Sequence, residues 1–330
     1  MKTMKAAVLG AGTIVPGFLE AAAEIPELEI AAIMGVEADR EKMTALQEKH
    51  GIGRLSFDYE ELLADEEIGI IYVALPNHLH YSFAKKAVEH GKHVIVEKPF
   101  ASTYMQAKDL LDSAAAAGVM VFEAISNQYM PNYKKTAELL PTLGDIKIVQ
   151  LNYSQYSRRY DQFKAGVVLP VFDPKKSGGA LMDLNVYNIH YILGLFGRPD
   201  SIRYLPNMER GIDTSGILTL SYPTFQCVSV AAKDCKAPVS INIQGDQGYI
   251  HSDEPANCYG SFMTASNAGE PERISLNEDM PRLYYELRTF MDLVLAGDEA
   301  ARETMHGYNL HTLAVQEILD EARRQAGIEF

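Results

Sequence analysis

Residues 70–99 read IIYVALPNHLHYSFAKKAVEHGKHVIVEKP. Ile70–Ala74 is a short apolar run of β-branched and aromatic residues, and Val94–Glu97 is a second one. Between them His80–His90 reads as a helix, closed by Gly91, the residue that most readily takes the left-handed conformation at a helix end. Strand, helix and strand in so short a stretch form a crossover unit, and such units build parallel sheets covered on both faces. Open sheets of this kind bind ligands beyond the carboxyl ends of their strands. Two segments leave those ends here: Leu75-Pro76-Asn77 with His80, and Glu97-Lys98-Pro99. Pro99 restricts Lys98 to an extended conformation and so aims its side chain.

The alternation continues outward. Lys5–Gly10, Leu28–Met34 and Val119–Glu123 read as strands. Pro16–Ile25, Asp39–His50, Tyr59–Leu63 and Thr103–Ala117 read as helices. Residues 1–122 therefore form a doubly wound α/β, Rossmann-type domain. Its first strand runs into Gly10-Ala11-Gly12, followed by Thr13 and Ile14. A tight strand-to-helix turn needs glycine, a second glycine lets the backbone approach a pyrophosphate, and the helix start offers unpaired N–H groups to it. The third glycine of that fingerprint falls on Val15, so the match is incomplete. After the second strand Glu37 is placed to bond a ribose 2′-hydroxyl, which favours NAD slightly, while Arg40 and Lys42 keep NADP open. Glu37 and Asp39 also read as ordinary carboxylates at a helix start.

The texture changes after residue 123. Ile146–Tyr156, Ile217–Tyr222, Cys227–Ala232 and Val239–Gln244 alternate in character, and strand follows strand. Ala180–Phe196, Leu283–Leu295 and Leu310–Gln325 read as flanking helices. Residues 123–330 are expected to be an α+β domain with a large, mostly antiparallel sheet, serving substrate binding and oligomerisation. Residues 157–179 have no clear period, which is unusual unless the stretch is functional or disordered.

The 330 residues are 47% hydrophobic and 22% charged, a balance that fills two ordinary cores. A net charge of −14 opposes a nucleic-acid partner. No apolar run is long enough to span a bilayer. Met1 is followed by Lys2 and Lys5, but the apolar run behind them is too short for a secretory core, so a cytoplasmic protein is expected. Cys227, Cys235 and Cys258 are few and odd in number, which fits a reducing compartment. His78 and His80 lack partners at metal-ligand spacing, and no metal is expected.

Taken in order, Gly10-Ala11-Gly12, Pro76-Asn77 with His80, Glu97-Lys98-Pro99, Glu123-Ala124, Gly178-Gly179-Ala180-Leu181-Met182-Asp183 and Ala326-Gly327-Ile328 resemble the Gfo/Idh/MocA oxidoreductase family over nearly the whole chain. The resemblance implies NAD or NADP as cofactor, with Pro76, Asn77, His80, Glu97 and Lys98 lining its nicotinamide end and Leu75 and Asn127 as further cofactor-binding residues. Asn127 stands where many relatives carry arginine. Relatives pair through the sheet of the second domain, which implies a homodimer, with a tetramer possible.

Asp183, Tyr187 and His190 are spaced i, i+4, i+7, and on an α-helix they share one stripe. Oxidising an alcohol needs a base for the hydroxyl proton, and reducing a carbonyl needs the same group as an acid. Tyrosine serves when a nearby ammonium lowers its pKa. Lys98 is expected to supply that charge, Tyr187 to transfer the proton and Asp183 to orient Lys98 or a substrate hydroxyl. His190 is a further candidate for substrate contact or acid–base work. In the resembling family, tyrosine four residues after the aspartate is similar to the dihydrodiol and xylose dehydrogenase branch. Tyr156 and Arg158 are candidates at the substrate end, where Arg158, Arg159, Lys164, Lys175 and Lys176 form either an anion contact or a solvated loop. The expected function is hydride transfer between NAD(P) and a sugar, polyol or cyclic diol. Glycoside hydrolysis through transient oxidation and a non-catalytic dinucleotide sensor are the alternatives.

Overall fold

The structure, a computed structural model, describes residues 3–330; Met1 and Lys2 lie outside the described residues. The chain divides into two compact units. The first runs to Ala124 and includes Met280–Leu313; the second is Ile125–Asp279 with Ala314–Phe330. The segment 280–313, assigned above to the second domain, thus packs with the first unit, because its apolar side chains cover the first sheet.

In the first unit the order is β1 (Met4–Leu9), α1 (Val15–Ala23), β2 (Leu28–Met34), α2 (Arg40–His50), β3 (Arg54–Ser56), α3 (Tyr59–Ala64), β4 (Ile68–Val73), α4 (His80–Glu89), β5 (His93–Glu97), α5 (Tyr104–Ala117) and β6 (Val121–Ala124). Six strands lie in the order β3-β2-β1-β4-β5-β6, and every pair is parallel. The order reverses between β1 and β4, the switch point at which doubly wound sheets hold ligands. The strands are apolar on both faces because helices cover both: Leu9, Ile71, Val73, Val94 and Val96 are fully buried with Leu110 of α5. Local signals set the helix ends. The Asp58 side chain accepts from Glu60 N–H, Thr103 accepts from Gln106 N–H, and Gly51 and Gly118 close α2 and α5 in the left-handed conformation.

The second unit carries α6 (Pro131–Leu139), β7 (Ile146–Ser154), α7 (Arg158–Lys164), a π-helical turn at Leu181–Asn185, α8 (Val186–Phe196), β8 (Ser201–Glu209), β9 (Ile212–Ser221), β10 (Gln226–Ala232), β11 (Ser240–Gly245), β12 (Gly248–Ser252), β13 (Phe262–Ser266) and β14 (Glu272–Ile274). Its eight strands run β14-β13-β12-β11-β7-β10-β9-β8. Only β7 and β10 pair in parallel; the other pairs are antiparallel. Period-two alternation places Val149, Leu151, Leu218, Leu220, Ile241 and Ile243 inward. Ile148, Leu205 and Ile217 face outward and are exposed.

Two helices complete the chain, α9 (Tyr284–Ala296) and α10 (Glu299–Ala326). The expected helix Leu310–Gln325 is the second half of α10, whose first half is too polar to read by hydrophobic period. The aperiodic stretch 157–179 is ordered as α7 and two 3₁₀ turns, Pro170–Phe172 and Pro174–Lys176. Its side chains Phe163 and Phe172 stack on each other and bury with Ile212 and Ile328. Long-range aromatic packing, rather than local propensity, orders it. No helix among the described residues is long and apolar enough to cross a membrane.

Candidate active site

The first unit offers a cradle for a dinucleotide. Gly10 has φ +104°, and a Cβ there would lie 2.5 Å from the Ala74 carbonyl oxygen. Ala74 N–H donates to the Leu9 carbonyl at 3.0 Å, so the ends of β1 and β4 meet where only glycine fits. A Cβ at Gly12 would meet nothing within 4 Å, leaving open room in front of the α1 N-terminus. Thr13 beside it is exposed, and Ala11 and Ile14 are half-buried. Val15, in the place of the third glycine, is fully buried and packs the helix down instead. The turn therefore fits a pyrophosphate despite the imperfect fingerprint.

Beyond β2 the Arg40 guanidinium donates to both Glu37 oxygens, each at 2.8 Å, and lies 4.2 Å from the centroid of the Phe57 ring. These bonds hold the Glu37 carboxyl below its ordinary range. The residue read as favouring NAD and the one read as admitting NADP are thus bonded to each other.

The Lys98 backbone is fixed by three buried side chains. Glu97 accepts from Lys98 N–H at 3.2 Å and from the Tyr72 hydroxyl at 2.6 Å. Glu123 accepts from Phe100 N–H at 3.1 Å and from the Thr312 hydroxyl at 2.8 Å. His80 places Nδ1 2.9 Å from the Pro99 carbonyl and Nε2 2.8 Å from the Leu75 carbonyl. Burial pushes the Glu97 carboxyl up, with Tyr72 and Lys98 pulling part of the way back, and burial pushes the His80 imidazole down. Glu97 and His80, expected from the resemblance to line the nicotinamide end, are buried. They are buried ties between the two strand-end segments. Lys98 itself is half-buried, as are Leu75 and Asn77, while Pro76 is exposed.

In the second unit, Gly179 has φ +103°, and a Cβ there would meet the Asp213 carboxylate at 2.1 Å. Asp213 accepts from Leu181 N–H at 2.6 Å and from the Tyr204 hydroxyl at 2.7 Å, and so caps the turn that follows. That turn, Leu181–Asn185, is π-helical rather than α-helical. Widened turns of this kind recur at functional sites, because they re-aim the side chains they carry. Asn185 accepts from Ser229, and Asn188 donates to the Val230 carbonyl at 3.2 Å, which pins the segment onto β10.

The widened turn corrects the single stripe expected from i, i+4, i+7 spacing. Asp183 keeps 30% of its side-chain surface, Tyr187 is 7% exposed and His190 is fully buried. His190 is not presented to solvent as an acid–base group. Asn127 is also fully buried, and its Nδ2 donates to the Tyr187 carbonyl at 2.9 Å, which supports α8. Tyr156 is exposed, bonded to Asp161 at 2.6 Å and to Lys164 at 2.9 Å. It lines a cavity of about 520 Å³ with Tyr153, Ser154, Gln155, Lys236 and Pro255. The Tyr153 ring stands 6.2 Å from that of Tyr187, so the cavity adjoins the candidate proton donor. Arg158, Arg159 and Lys164 are exposed on α7.

Sequence reasoning missed Asp213, Tyr204 and Lys233. Lys233 is only 4% exposed, and its ammonium donates to Asp183. Their signal was faint: an aspartate straight after the Gly211 turn and a lysine closing an apolar strand. Among the described residues no group of three or more His, Cys, Asp or Glu side chains is placed to hold a metal ion.

Residues 4–125 match the model of the oxidoreductase family with an NAD-binding Rossmann fold, and residues 141–251 match the Gfo/Idh/MocA C-terminal domain. The scyllo-inositol 2-dehydrogenase (NADP(+)) IolU of Bacillus subtilis is 32% identical over 98% of this chain and 97% of its own length. The chain belongs to the Gfo/Idh/MocA family. It is an NAD(P)-dependent oxidoreductase of the dehydrogenase class. A D-xylose 1-dehydrogenase (NADP(+)) of Haloferax volcanii is 30% identical over 64% of this chain and 62% of its own. The fold is also that of the 3-ketoreductase KijD10 of Actinomadura kijaniata in complex with NADP and TDP-benzene (TM-score 0.85, 20% identity, 98% of both chains). It is likewise that of a levoglucosan dehydrogenase with NADH and levoglucosan (TM-score 0.83, 17% identity, 98% and 97%).

Two predictions follow from this geometry. Gly10→Ala drives a methyl group into the Ala74 carbonyl and is expected to weaken NADPH and NADH binding at least tenfold, measured by nucleotide fluorescence, while Gly12→Ala costs less. Burial raises the Asp213 carboxyl from 3.8 to about 6. The unfolded chain gives up this proton first, so stability falls as pH rises from about 4 to about 6, by up to roughly 3 kcal/mol. Chemical denaturation across that window should show a smaller fall in Asp213→Asn than in the natural protein.

Proposed function

We propose that the enzyme oxidises a secondary hydroxyl of a cyclic polyol or sugar, reversibly, with Lys98, Asp183 and Tyr187 as its catalytic residues. The observation that carries the reading is Asp183 on its π-helical turn, partly open and paired with a buried ammonium, one turn before Tyr187. Such a carboxylate accepts hydroxyl hydrogen bonds, which are what a polyol offers. The Lys98 ammonium donates to the reacting oxygen. The Tyr187 phenolate takes the substrate proton on oxidation, and the resulting hydroxyl returns it on reduction. A nicotinamide held there would supply the hydride acceptor or donor. Gly10, Gly12, Leu75, Pro76 and Asn77 would hold that cofactor, with Glu37 serving the ribose of NAD and Arg40, turned away from Glu37, serving the 2′-phosphate of NADP. The inositol and xylose dehydrogenases among the relatives support a polyol or sugar substrate.

Nicotinamide absorbance with a panel of inositols, pentoses, hexoses and cyclic diols tests this. Net reduction of NAD or NADP is expected. Product without net nicotinamide change would replace it with the hydrolase reading, and binding alone with the sensor reading. Tyr187→Phe is expected to lower kcat by about 10²–10⁴-fold and Lys98→Met by about 10²-fold or more, with cofactor still bound.

We also propose a homodimer formed through the outer face of the eight-stranded sheet, in a cytoplasmic protein. Leu205 pairs with Ile217 and Ile217 with Val230 across β8, β9 and β10, giving an outward apolar row to which Ile148 and Met208 add exposed surface. Rows of this kind on soluble proteins mark association surfaces. The cysteines, three in number and so odd, support a reducing compartment. Light scattering should give twice the chain mass, falling to one chain in Ile217→Lys; a monomeric natural protein would remove the proposal.

A further inference from the structure

Lys233 stands directly after β10, where its N–H donates to the Thr214 carbonyl at 2.8 Å. Lysine is almost never this buried without a partner. Its ammonium donates to Asp183 Oδ2 and lies 5.7 Å from the centroid of the Phe172 ring. Two other carboxylates are near, and each has its own donors. Asp213 takes Leu181 N–H and the Tyr204 hydroxyl, and Asp234 takes the hydroxyls of Thr214 at 2.7 Å and Ser215 at 2.9 Å. Asp183 is the carboxylate the ammonium binds directly.

We propose that Lys233 is the positioning residue of the substrate site, acting through its buried ion pair to keep Asp183 ionised and fixed, so that Asp183 presents only acceptor atoms to the substrate. The idea rests on the oxidoreductase reading above and narrows its substrate class. An acceptor-only carboxylate recognises a hydroxyl donor beside the reacting carbon, so the substrate is a vicinal diol unit. A carboxylate or phosphate at that position would meet like charge. A protonated Asp183 would instead donate, and would lose that selectivity. The ammonium is held in place by the cost of burying it: removing one partner of a buried pair leaves an uncompensated charge.

Two measurements test this. First, the Asp183 carboxyl is followed by its ¹³C shift in aspartate-labelled protein, assigned with Asp183→Asn. Asp213 on β9, Asp234 beside Lys233, Tyr204 on β8 and Tyr187 on α8 are the other ionisable groups packed there, and the two aspartates are resolved in the same spectra. In Lys233→Met the Asp183 midpoint is expected to rise by about one pH unit or more, a tenfold change in its proton affinity, and to return toward the natural value in Lys233→Arg. Second, Lys233→Met is expected to lower kcat/KM for a vicinal diol roughly tenfold or more while NADPH affinity holds, and to add nothing in an Asp183→Asn background. A merely structural lysine would give losses that multiply. An unmoved midpoint, or multiplying losses, overturns the proposal. If the natural enzyme binds cofactor but turns over no polyol, the polyol reading fails, and Lys233 is decided by the titration alone. Should Lys233→Met not fold, Lys233→Gln carries both measurements with the same expectations.

Discussion

A buried polar group has to find a bonding partner, and the partners found by Glu97, Glu123 and His80 are what hold Lys98 still. Each of the three is almost free of solvent contact. An unmade bond there would cost about 1–3 kcal/mol, more than most single packing contacts return. The carboxylates and the imidazole consequently draw the segments after β4 and β5 together with the end of β6 into one fixed cluster. The half-buried ammonium of Lys98 is the group that this cluster leaves available to chemistry. Carboxyl groups at Glu97 and Glu286 are both pushed up by burial, Glu286 strongly, which limits how much negative charge gathers beneath that ammonium.

The second unit uses the same logic with a different device. Asp213 caps the start of the Asp183 turn, and its carboxylate occupies the space that any side chain at Gly179 would need. Asn185 and Asn188 then fasten the turn and α8 to β10. Hydrogen bonds within the turn are spaced for a π-helix, which re-aims Asp183 relative to Tyr187. Lys233 meets Asp183 because β10 ends beside it. A regular helix would have satisfied its own backbone equally well. The widened form persists because three side chains from the neighbouring strands, Asp213, Ser229 and Lys233, bind it in that shape.

Much of this was legible in the chain itself. Apolar runs of strand length, glycine stops and Pro99 after Lys98 fix the crossover units, because backbone preference and hydrophobic period act locally. Lys98, Asp183 and Tyr187 could be named from motif and spacing. The roles of Glu97, His80 and Asn127 could not. A motif shows that a residue matters near a ligand, whereas burial decides whether it touches the ligand or supports what does. For His190, periodicity assigns a helix face without saying whether that face is covered, and the structure shows that it is.

The sequence by itself determined a parallel doubly wound unit, a mostly antiparallel one, a nicotinamide cofactor through family resemblance, and the three residues expected to do the chemistry. Only the tertiary structure decided that residues 280–313 pack with the first unit, that Asp183 rides a π-helical turn, and that Lys233 is its counter-ion. The reason is separation along the chain. Asp183 and Lys233 are fifty residues apart, and Glu123 and Thr312 are farther still. Partnerships of that range are set by which strand ends beside which turn, and no local pattern of residues encodes them.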